Sequence, residues 1–243
     1  MKPLLVLAAF PVVLMGWASC SHSGTGHAAL PDPRAVDKSV PEYKNPFHPS
    51  TYAHFVARKD YRKTYDVYKD DTLLNRQPKK SRKIFVCLDE QRGQYLVDGL
   101  VAMDFPLSSG VKAYPTKTGD YAVISKKEDH TSNLYGKMYD AEGKCINYNA
   151  ESTDPIPEGG RFDGSPMPYW QRLTNAGLGL HVGEGRRHPV SHGCVRLPRN
   201  VAEILYRQTS IGTPVTIQKT PLPVPEAQKI PPAQQQESEG RKQ

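Results

Sequence analysis

A hairpin signal around residue 98 is the strongest constraint on how this chain can fold. Residues 95–97 and 100–103 are two runs rich in apolar and aromatic residues, and only Asp98 and Gly99 separate them. An Asp-Gly pair between two such runs fits a type I′ turn, in which both central residues take a positive φ. The sequence therefore predicts two adjacent antiparallel strands here, and a domain built on a β-sheet.

Further strands are predicted on both sides of this hairpin. Residues 84–88 form a buried-strand run, and residues 121–124 and 214–217 are short strands with alternating or continuous apolar residues. Residues 177–181 form a glycine-spaced strand. No internal repeat is evident, so the pattern predicts one β-rich domain.

One segment has a clear helical pattern. Pro198 stands where a first helical turn tolerates proline, and Val201, Ile204 and Leu205 then share one helical face. Strands still dominate over helices. The predicted fold class is therefore mainly β, in a β-rich α+β arrangement with one main helix.

Composition divides the chain into one domain with two non-globular ends. Within the domain, residues 125–162 are polar and contain several glycines, which predicts a long irregular insertion near the site. Ahead of the domain, Ser50 is expected to cap a short helix that ends near residue 63. The predicted division is a signal peptide (1–20), a flexible tether and lead-in (21–82), the folded domain (83–218) and a disordered Pro/Gln-rich tail (219–243).

The first twenty residues have the pattern of an export signal. Lys2 supplies a positive start, and residues 4–17 form an apolar run that is too short to span a bilayer. Residues 18–20, Ala-Ser-Cys, resemble a bacterial lipobox, although Trp17 stands where lipoboxes usually carry Leu. We therefore expect export to the cell envelope or periplasm, with a membrane anchor on lipidated Cys20. Ordinary cleavage without lipidation is the alternative.

The charge of the chain favours an acidic partner. The net charge is +7 and the pI is about 9.1. The basic residues are dispersed apart from a cluster at residues 79–83, and no aromatic-basic recognition motif appears, which argues against nucleic acid. Phospholipid or an anionic wall polymer matches the charge equally well. Positive charge can also serve solubility alone, and the sequence leaves both interpretations open.

The chain has four cysteines, which determine the disulfides that it can form after export: Cys20, Cys87, Cys145 and Cys194. With Cys20 lipidated, Cys87 and Cys145 can pair in an oxidising compartment, which leaves Cys194 as a free thiol. The alternative is that Cys87 is a buried strand residue and Cys145 an unpaired loop residue. No CxxC or Cys/His ligand spacing indicates structural zinc.

The candidate chemistry lies in Ser191-His192-Gly193-Cys194, which follows His181 by a short loop. The thiolate is the reactive form of cysteine and a nearby imidazole can generate it, so Cys194 is a candidate nucleophile and His181 a candidate base. Gly193 allows close approach to the backbone, so amides beside Cys194 can face a developing oxyanion. A buried structural thiol is the alternative. A metal site here is disfavoured, because a metal would occupy the thiolate.

These residues resemble the signature of the L,D-transpeptidases, the YkuD-like catalytic domain of bacterial cell-wall enzymes. That family carries an upstream His, a loop and then Ser/Thr-His-Gly-Cys. It also tends to carry a Ser-Gly turn and a Pro-Thr-x-Thr-Gly turn, which are found here at residues 109–110 and 115–119. The resemblance covers residues 83–218 and implies an L,D-transpeptidase-like β-sandwich or barrel, with one main helix after the cysteine and no cofactor. Two departures are a shorter loop before Ser191, and Arg196 where some members carry Asn.

The resemblance also implies roles for individual residues. His181 is expected to take the proton of Cys194, and the backbone carbonyl of Val182 or Gly183 is expected to orient the imidazole. Arg196 can bind a substrate carboxylate or form a structural ion pair, and the two aromatic candidates can line the pocket or belong to the core. The full set of candidate substrate and oxyanion residues is Ser191, His192, Gly193, Arg196, Tyr169 and Trp170.

By the same resemblance, the donor substrate is a peptidoglycan tetrapeptide stem. Cys194 attacks the carbonyl of the third stem residue, the terminal D-amino acid leaves, and an amine acceptor from a wall peptide, a protein or a D-amino acid resolves the thioester. Two alternatives stay open. Water can resolve the same acyl-enzyme, which gives a carboxypeptidase or a hydrolase that releases wall-bound protein. A non-enzymatic envelope protein can instead bind wall polymer through its basic charge.

Overall fold

The computed structural model describes residues 32–77 and 81–229. The predicted signal peptide with Cys20, and residues 230–243 of the predicted tail, lie outside the described residues. None of the helices in the described ranges is long and apolar enough to cross a bilayer. In chain order the elements are α1 (Tyr52–Ala57), β1 (Tyr68–Lys69), α2 (Asp71–Asn75), β2 (Arg82–Cys87), β3 (Arg92–Val97), β4 (Leu100–Pro106), β5 (Gly119–Ala122), β6 (Ser125–Lys127), β7 (Thr131–Tyr139), β8 (Cys145–Glu151), β9 (Arg161–Pro166), β10 (Trp170–Arg172), β11 (Gly179–Val182), β12 (Val195–Leu197), α3 (Arg199–Gln208), β13 (Pro214–Gln218) and a final 3-10 turn (Glu226–Gln228).

The largest sheet has six strands in the order β1-β4-β3-β2-β13-β5. Its centre is the hairpin predicted from the sequence. β3 and β4 are antiparallel, and Asp98 and Gly99 connect them with φ of 52° and 77°. Both values are positive, as a type I′ turn requires. β13, the predicted closing strand, lies parallel to β2 and antiparallel to β5, so the end of the domain returns to its first long strand.

A four-stranded sheet in the order β12-β11-β10-β6 carries three of the candidate site residues, Trp170, His181 and Arg196. β11 and β12 are parallel neighbours. Buried side chains of both sheets and of α3 belong to one apolar cluster, which includes Ile84, Leu180, Val195 and Leu205. The core therefore joins the two sheets and the helix, and it leaves the opposite face of β11 and β12 for the site.

The main helix confirms the helical pattern in the sequence. α3 begins directly after Pro198, which occupies the N-cap position. Val201 and Leu205 are fully buried, and Ile204 packs partly against the same cluster. The apolar face that the sequence predicts is thus the face that the helix buries. The fold class is as predicted, mainly β with one main helix after the cysteine turn.

Residues 125–162 are not an irregular insertion, and that prediction is wrong. They contain β6, β7, β8 and the start of β9, and β8-β7-β9 form a separate antiparallel sheet. Register shifts at Gly136, Met138 and Tyr139 break the alternation of side chains along β7, and most of β8 is exposed, so no period-two apolar pattern marks these strands. Gly136 also serves close strand packing, because a Cβ there would lie 2.2 Å from the Asp163 carbonyl oxygen.

The described part of the predicted tether and lead-in is folded onto the domain. Thr51, rather than Ser50, caps α1 by accepting a hydrogen bond from the His54 amide, and the helix ends at Ala57. Aromatic residues spaced along this polar segment bury enough apolar area to hold it on the domain. The mean composition of the segment is polar and therefore does not reveal these buried residues. The residues that form the resulting buried cluster are Tyr52, Phe55, Val56 and Tyr61 with Val101 and Val224.

The start of the predicted tail also packs on the domain. Val224 is buried. The Gln228 side chain accepts a hydrogen bond from the Val101 amide at 2.8 Å and donates one to the Val101 carbonyl at 3.0 Å. This side chain therefore pairs with the backbone of β4, and ordered contacts continue past the predicted domain end at residue 218.

Candidate active site

The Ser191–Cys194 turn is stabilised by the side chain of its own first residue. Ser191 Oγ donates a hydrogen bond to the Cys194 carbonyl at 2.5 Å and accepts one from the Gly193 amide at 3.1 Å. Gly193 has a φ of 117°, a conformation that residues with a side chain rarely adopt. Ser191 thus orders the turn from within, and the Gly193 amide is already engaged.

The turns at residues 109–110 and 115–119 form hydrogen bonds that hold the cysteine turn in place. Thr116 Oγ1 accepts a hydrogen bond from the Gly110 amide at 2.8 Å and donates one to the Gly193 carbonyl at 2.6 Å. The carbonyl of Ser109 accepts hydrogen bonds from the amides of Val190 and Ser191. A Cβ on Gly110 would lie 2.9 Å from Gly193 Cα, so only glycine fits there. The Ser-Gly and Pro-Thr-x-Thr-Gly turns noted in the sequence therefore position the cysteine turn.

Cys194 carries a partly buried thiol. Its Sγ donates a hydrogen bond to the Gly177 carbonyl at 3.3 Å. Burial raises the pKa of the Cys194 thiol, and the Gly179 amide and the charges of Arg196 and Arg172 oppose that effect. The resting form of Cys194 is therefore the protonated thiol.

His181 is buried at the site and oriented by the backbone. Its Nδ1 lies 2.7 Å from the Val182 carbonyl oxygen, one of the two carbonyls expected from the sequence to orient it. Because a carbonyl can only accept, the proton of the neutral ring lies on Nδ1, and Nε2 is left as an acceptor. Burial lowers the pKa of His181 to about 4, opposed by the bond to Val182, with smaller lowering by Arg196 and His130. At neutral pH the imidazole is therefore an uncharged base.

The register of β11 and β12 puts the two candidate catalytic residues on one face. Leu180 pairs with Val195 and both are buried in the core, so the next pair, His181 and Arg196, faces the opposite way. Cys194, one residue before Val195, faces that way as well. Within the described ranges no hydrogen bond joins His181 to Cys194, since the thiol is turned toward Gly177. Catalytic hydrogen bonds are often absent without substrate.

Two arginines give this face a positive charge. The charges of Arg196 and Arg172 both lower the pKa of Cys194, and that of Arg196 also lowers the pKa of His181. No carboxylate among residues 32–77 and 81–229 forms a salt bridge with either arginine. Arg196 therefore forms no direct ion pair in the described part of the chain, although Arg186 and, to a smaller extent, Arg196 lower the pKa of Glu184. Arg172 donates a hydrogen bond to the Asn175 carbonyl at 3.4 Å and lies over the Trp170 ring.

The structure separates the two aromatic candidates. Trp170 is buried with its ring 6.0 Å from that of His181, so it forms a wall of the site. Tyr169 packs its ring 5.5 Å from that of Tyr206 in α3 and belongs to the core periphery. His130, which the sequence did not indicate, lies 5.0 Å from the Trp170 ring. Tyr169 therefore takes its core alternative, and His130 extends the wall.

His192 is part of an aromatic group that the sequence did not reveal. Its ring stacks on Tyr135 of β7 at 4.2 Å and 16°, and lies 4.7 Å from Tyr114. Burial raises the pKa of Tyr135, with smaller contributions from Glu151, Tyr114 and Cys194. Tyr135 thus lies within electrostatic reach of Cys194, and the three-stranded sheet borders the site.

Two further cysteines lie within the described ranges. Cys87 is buried in β2, Cys145 lies at the start of β8, and both are free thiols, so they form no disulfide with each other. No group of three or more His, Cys, Asp or Glu side chains in the described part of the chain is arranged to bind a metal ion.

Sequence comparison links these residues to a known family. Residues 81–217, more than half of the chain, match the YkuD family, described as the L,D-transpeptidase catalytic domain. The chain is also 31% identical over 121 residues to the probable L,D-transpeptidase 3 of Mycobacterium tuberculosis. That alignment covers 47% of this chain and 38% of the relative, so the chain spans well under half of the relative's length.

Comparison with solved structures finds L,D-transpeptidases as well. An L,D-transpeptidase from Mycobacterium smegmatis is 22% identical, with 57% of this chain and 58% of that chain covered and a TM-score of 0.44. The catalytic domain of the E. faecium L,D-transpeptidase is 28% identical, with 56% and 96% covered and a TM-score of 0.41. These structural likenesses are partial, and the family assignment depends on the sequence match.

Proposed function

This chain belongs to the YkuD family of L,D-transpeptidase catalytic domains, and from that premise we propose that it is an exported L,D-transpeptidase. The proposed donor substrate is a peptidoglycan tetrapeptide stem, which the protein holds as a thioester on Cys194. The observation that carries the proposal is the pairing of β11 with β12. This pairing aligns His181 with Arg196, two residues after Cys194, and the Val182 carbonyl orients the neutral imidazole, which supports the proposal.

In the proposed first half-reaction the thiol of Cys194 turns from the Gly177 carbonyl toward His181 Nε2. Burial raises the pKa of Cys194 and lowers that of His181 to about 4, so both shifts disfavour a separated thiolate–imidazolium pair. We therefore infer that the proton moves as the sulfur attacks the carbonyl of the third stem residue. His181 then gives this proton to the departing D-amino acid amine, the C–N bond breaks and the thioester remains.

The oxyanion formed during attack needs a hydrogen-bond donor. The Gly193 amide is already donated to Ser191 Oγ. The Cys194 amide has no acceptor among the described residues and lies next to the reacting sulfur. We propose the Cys194 amide as the main oxyanion donor, with Gly193 providing space rather than a hydrogen bond.

The positive face suits a substrate that carries carboxylates. We propose that Arg196, which forms no salt bridge in residues 32–77 and 81–229, binds a carboxylate of the stem peptide through its planar guanidinium. Trp170 and His192 would border the peptide on either side. Ser191 and Tyr169 are proposed to have structural roles, since Ser191 orders the cysteine turn and Tyr169 packs on α3.

In the proposed second half-reaction an amine attacks the thioester carbonyl. A new amide forms, the C–S bond breaks, and the proton lost by the amine returns through His181 to the sulfur. The acceptor is proposed to be a wall peptide, a protein or a D-amino acid. Export and a lipid anchor on Cys20 remain proposals that rest on the sequence, and mass spectrometry of the N-terminal peptide from envelope fractions tests the anchor.

Intact-protein mass spectrometry of the full chain tests the proposed activity. Incubation with a carbapenem or a tetrapeptide stem should give a covalent adduct that maps to Cys194. Cys194→Ala should give none while the fold is kept, and His181→Ala should form it far more slowly. Residues from 32 onward must be retained, because the Arg34 guanidinium donates hydrogen bonds to the Glu90 carboxylate of the domain.

The outcomes separate the alternatives. No adduct on a folded chain with a free Cys194 thiol would overturn the enzyme assignment, and retained, salt-sensitive binding to wall polymer would then indicate a binding protein. With an adduct established, products are compared with and without an added amine. Release of free acid at the same rate in both cases would show that water, not an amine, is the acceptor.

A further inference from the structure

The loop that joins His181 to the cysteine turn contains a residue in an unfavourable backbone conformation. Arg187 has a φ of 58°, which non-glycine residues adopt at a cost and keep only where other contacts hold them. Its amide donates to the Leu107 carbonyl at 3.1 Å, and the Arg186 amide donates to Ser108 Oγ at 2.8 Å. The middle of the loop is thereby fixed along the residues that follow β4.

The side chain of Arg187 ties the loop to a distant part of the chain. Its Nη1 donates to the Thr64 carbonyl at 3.0 Å and to the Tyr61 carbonyl at 3.4 Å, and its Nη2 donates to the Glu90 carbonyl at 2.8 Å. All three acceptors are backbone oxygens, and two belong to the folded segment that precedes β1. A planar guanidinium can bridge them at once, whereas a lysine cannot.

The segment that receives Arg187 is itself firmly anchored. The Thr64 carbonyl also accepts from Arg92 Nη1 at 3.0 Å. Arg92 forms a buried ion pair with Asp104 at 2.5 Å. Asp104 Oδ2 in turn accepts from the hydroxyls of Tyr52 and Tyr61 at 2.8 Å and 2.9 Å. The anchor of the loop is therefore a buried, charged network rather than a mobile surface.

A second tie joins the same two parts from the outside. The hydroxyl of Tyr65 donates to the Arg186 carbonyl at 3.1 Å. Tyr65 is 63% exposed, so this bond contributes little to the core. It provides a separate way to perturb the connection.

We propose that Arg187 is a positioning residue for the transfer reaction. By tying the loop between His181 and Ser191 to the folded segment before β1, it sets the position of the cysteine turn relative to the base. The inference rests on the proposed function and extends it, because it gives the N-terminal segment a part in the chemistry without any contact with substrate.

The test compares Arg187→Asn with Arg186→Asn in the full chain. Asparagine tolerates the left-handed conformation, so Arg187→Asn removes the tie without new backbone strain. The Arg186 side chain is exposed and pairs only with Glu184 in the described part of the chain, which makes it the matched control. The rate of Cys194 acylation by a carbapenem is followed by mass spectrometry across concentrations. We expect the saturating rate to fall about tenfold in Arg187→Asn, with an unchanged half-saturating concentration.

The control variant should stay within about twofold of the parent rate, and Arg187→Lys should recover part of the loss. Equal saturating rates in the two asparagine variants would overturn the proposal, as would a change in half-saturating concentration alone. If Arg187→Asn does not fold, the saturating acylation rate of Tyr65→Phe, which lacks the hydroxyl that binds the Arg186 carbonyl, is measured instead. Tyr148→Phe on exposed β8 is its control. Equal rates in that pair would also overturn it.

Failure of the proposed function would be visible separately, as an unacylated parent protein. In that case the pH profile of Cys194 alkylation by iodoacetamide decides the positioning role. Loss of the tie should alter this profile in Arg187→Asn and leave it unchanged in Arg186→Asn. Identical profiles would refute the role of Arg187 whatever reaction the protein performs.

Discussion

The hydroxyl of Thr116 links the Gly110 turn to the turn that carries Cys194, and Thr116→Val removes this hydroxyl with little change in size. The lost Oγ1 accepts from the buried Gly110 amide at 2.8 Å and donates to the Gly193 carbonyl at 2.6 Å. The substitution therefore deletes two hydrogen bonds and leaves one buried donor without a partner.

The expected loss follows from these contacts. A neutral hydrogen bond contributes about 1 kcal/mol, and a buried donor left unpaired costs about 1–3 kcal/mol. The free energy of unfolding should fall by about 2–4 kcal/mol. For a domain of this size the Tm should fall by roughly 5–15 °C. The Gly193 carbonyl also loses its donor, so the cysteine turn should shift and acylation of Cys194 should slow by at least about tenfold.

Calorimetry gives the Tm, and time-resolved mass spectrometry with a carbapenem gives the acylation rate. Thr118→Val is the matched control, since Thr118 is exposed and its hydroxyl has no hydrogen bond within the described ranges. Thr116→Ser, which keeps the hydroxyl, should restore most of both values. Acylation of Thr116→Val at the rate of the control, despite a lower Tm, would refute the argument that the two turns position the nucleophile.

The charged groups around the site give the remaining predictions. Burial lowers the pKa of His181 to about 4, whereas its imidazole in the unfolded chain has a pKa near 6.5. Between these pH values the unfolded state binds more protons than the folded state. The free energy of unfolding should therefore fall by about 3 kcal/mol as the pH drops from 6.5 to 4. Urea titrations should show this loss, and the same pH dependence in His181→Gln would contradict it. Asp104→Asn leaves the buried Arg92 charge without its carboxylate and should cost about 3–5 kcal/mol by urea unfolding, so a loss below about 1 kcal/mol would disprove the network. Arg196→Gln should raise the KM for a tetrapeptide stem about tenfold with a smaller change in kcat, and an unchanged KM in steady-state assays would assign the carboxylate to another group.

Sequence reasoning succeeded where short segments carry their own signal. The Asp98-Gly99 turn fixes its hairpin because the positive φ values are local requirements. The apolar face of α3 follows from a 3.6-residue period and needs no tertiary information. Cys194 and His181 could be proposed as site residues for a similar reason, since each lies in a short glycine-containing stretch that resembles the family.

Local sequence patterns did not predict the strands of the three-stranded sheet or the folding of the N-terminal segment, for two different reasons. Register shifts along β7 remove the alternation that marks a strand, so Tyr135 could not be assigned to the site from sequence. The N-terminal segment is polar on average. Its stability depends on a few buried aromatics and on bonds to Arg92 and Asp104, which lie 28 residues from Thr64 and 52 residues from Tyr52 in the sequence. A pairing of this kind has no local pattern to detect.

The electrostatics of the site separate a resting state from a reacting one. At rest, burial keeps the Cys194 thiol protonated and bound to the Gly177 carbonyl, while His181 stays neutral. Oxidants react with the thiolate, and metals bind it. A protonated, partly buried thiol is therefore protected from oxidation and metal binding in an oxidising compartment of the kind proposed for this chain. The charges of Arg196 and Arg172 already favour the thiolate, but burial outweighs them until a substrate carbonyl is present to accept the developing negative charge. Reactivity of Cys194 should therefore depend on an occupied site, and the Ser191 and Thr116 hydrogen bonds keep the cysteine turn ready for that moment.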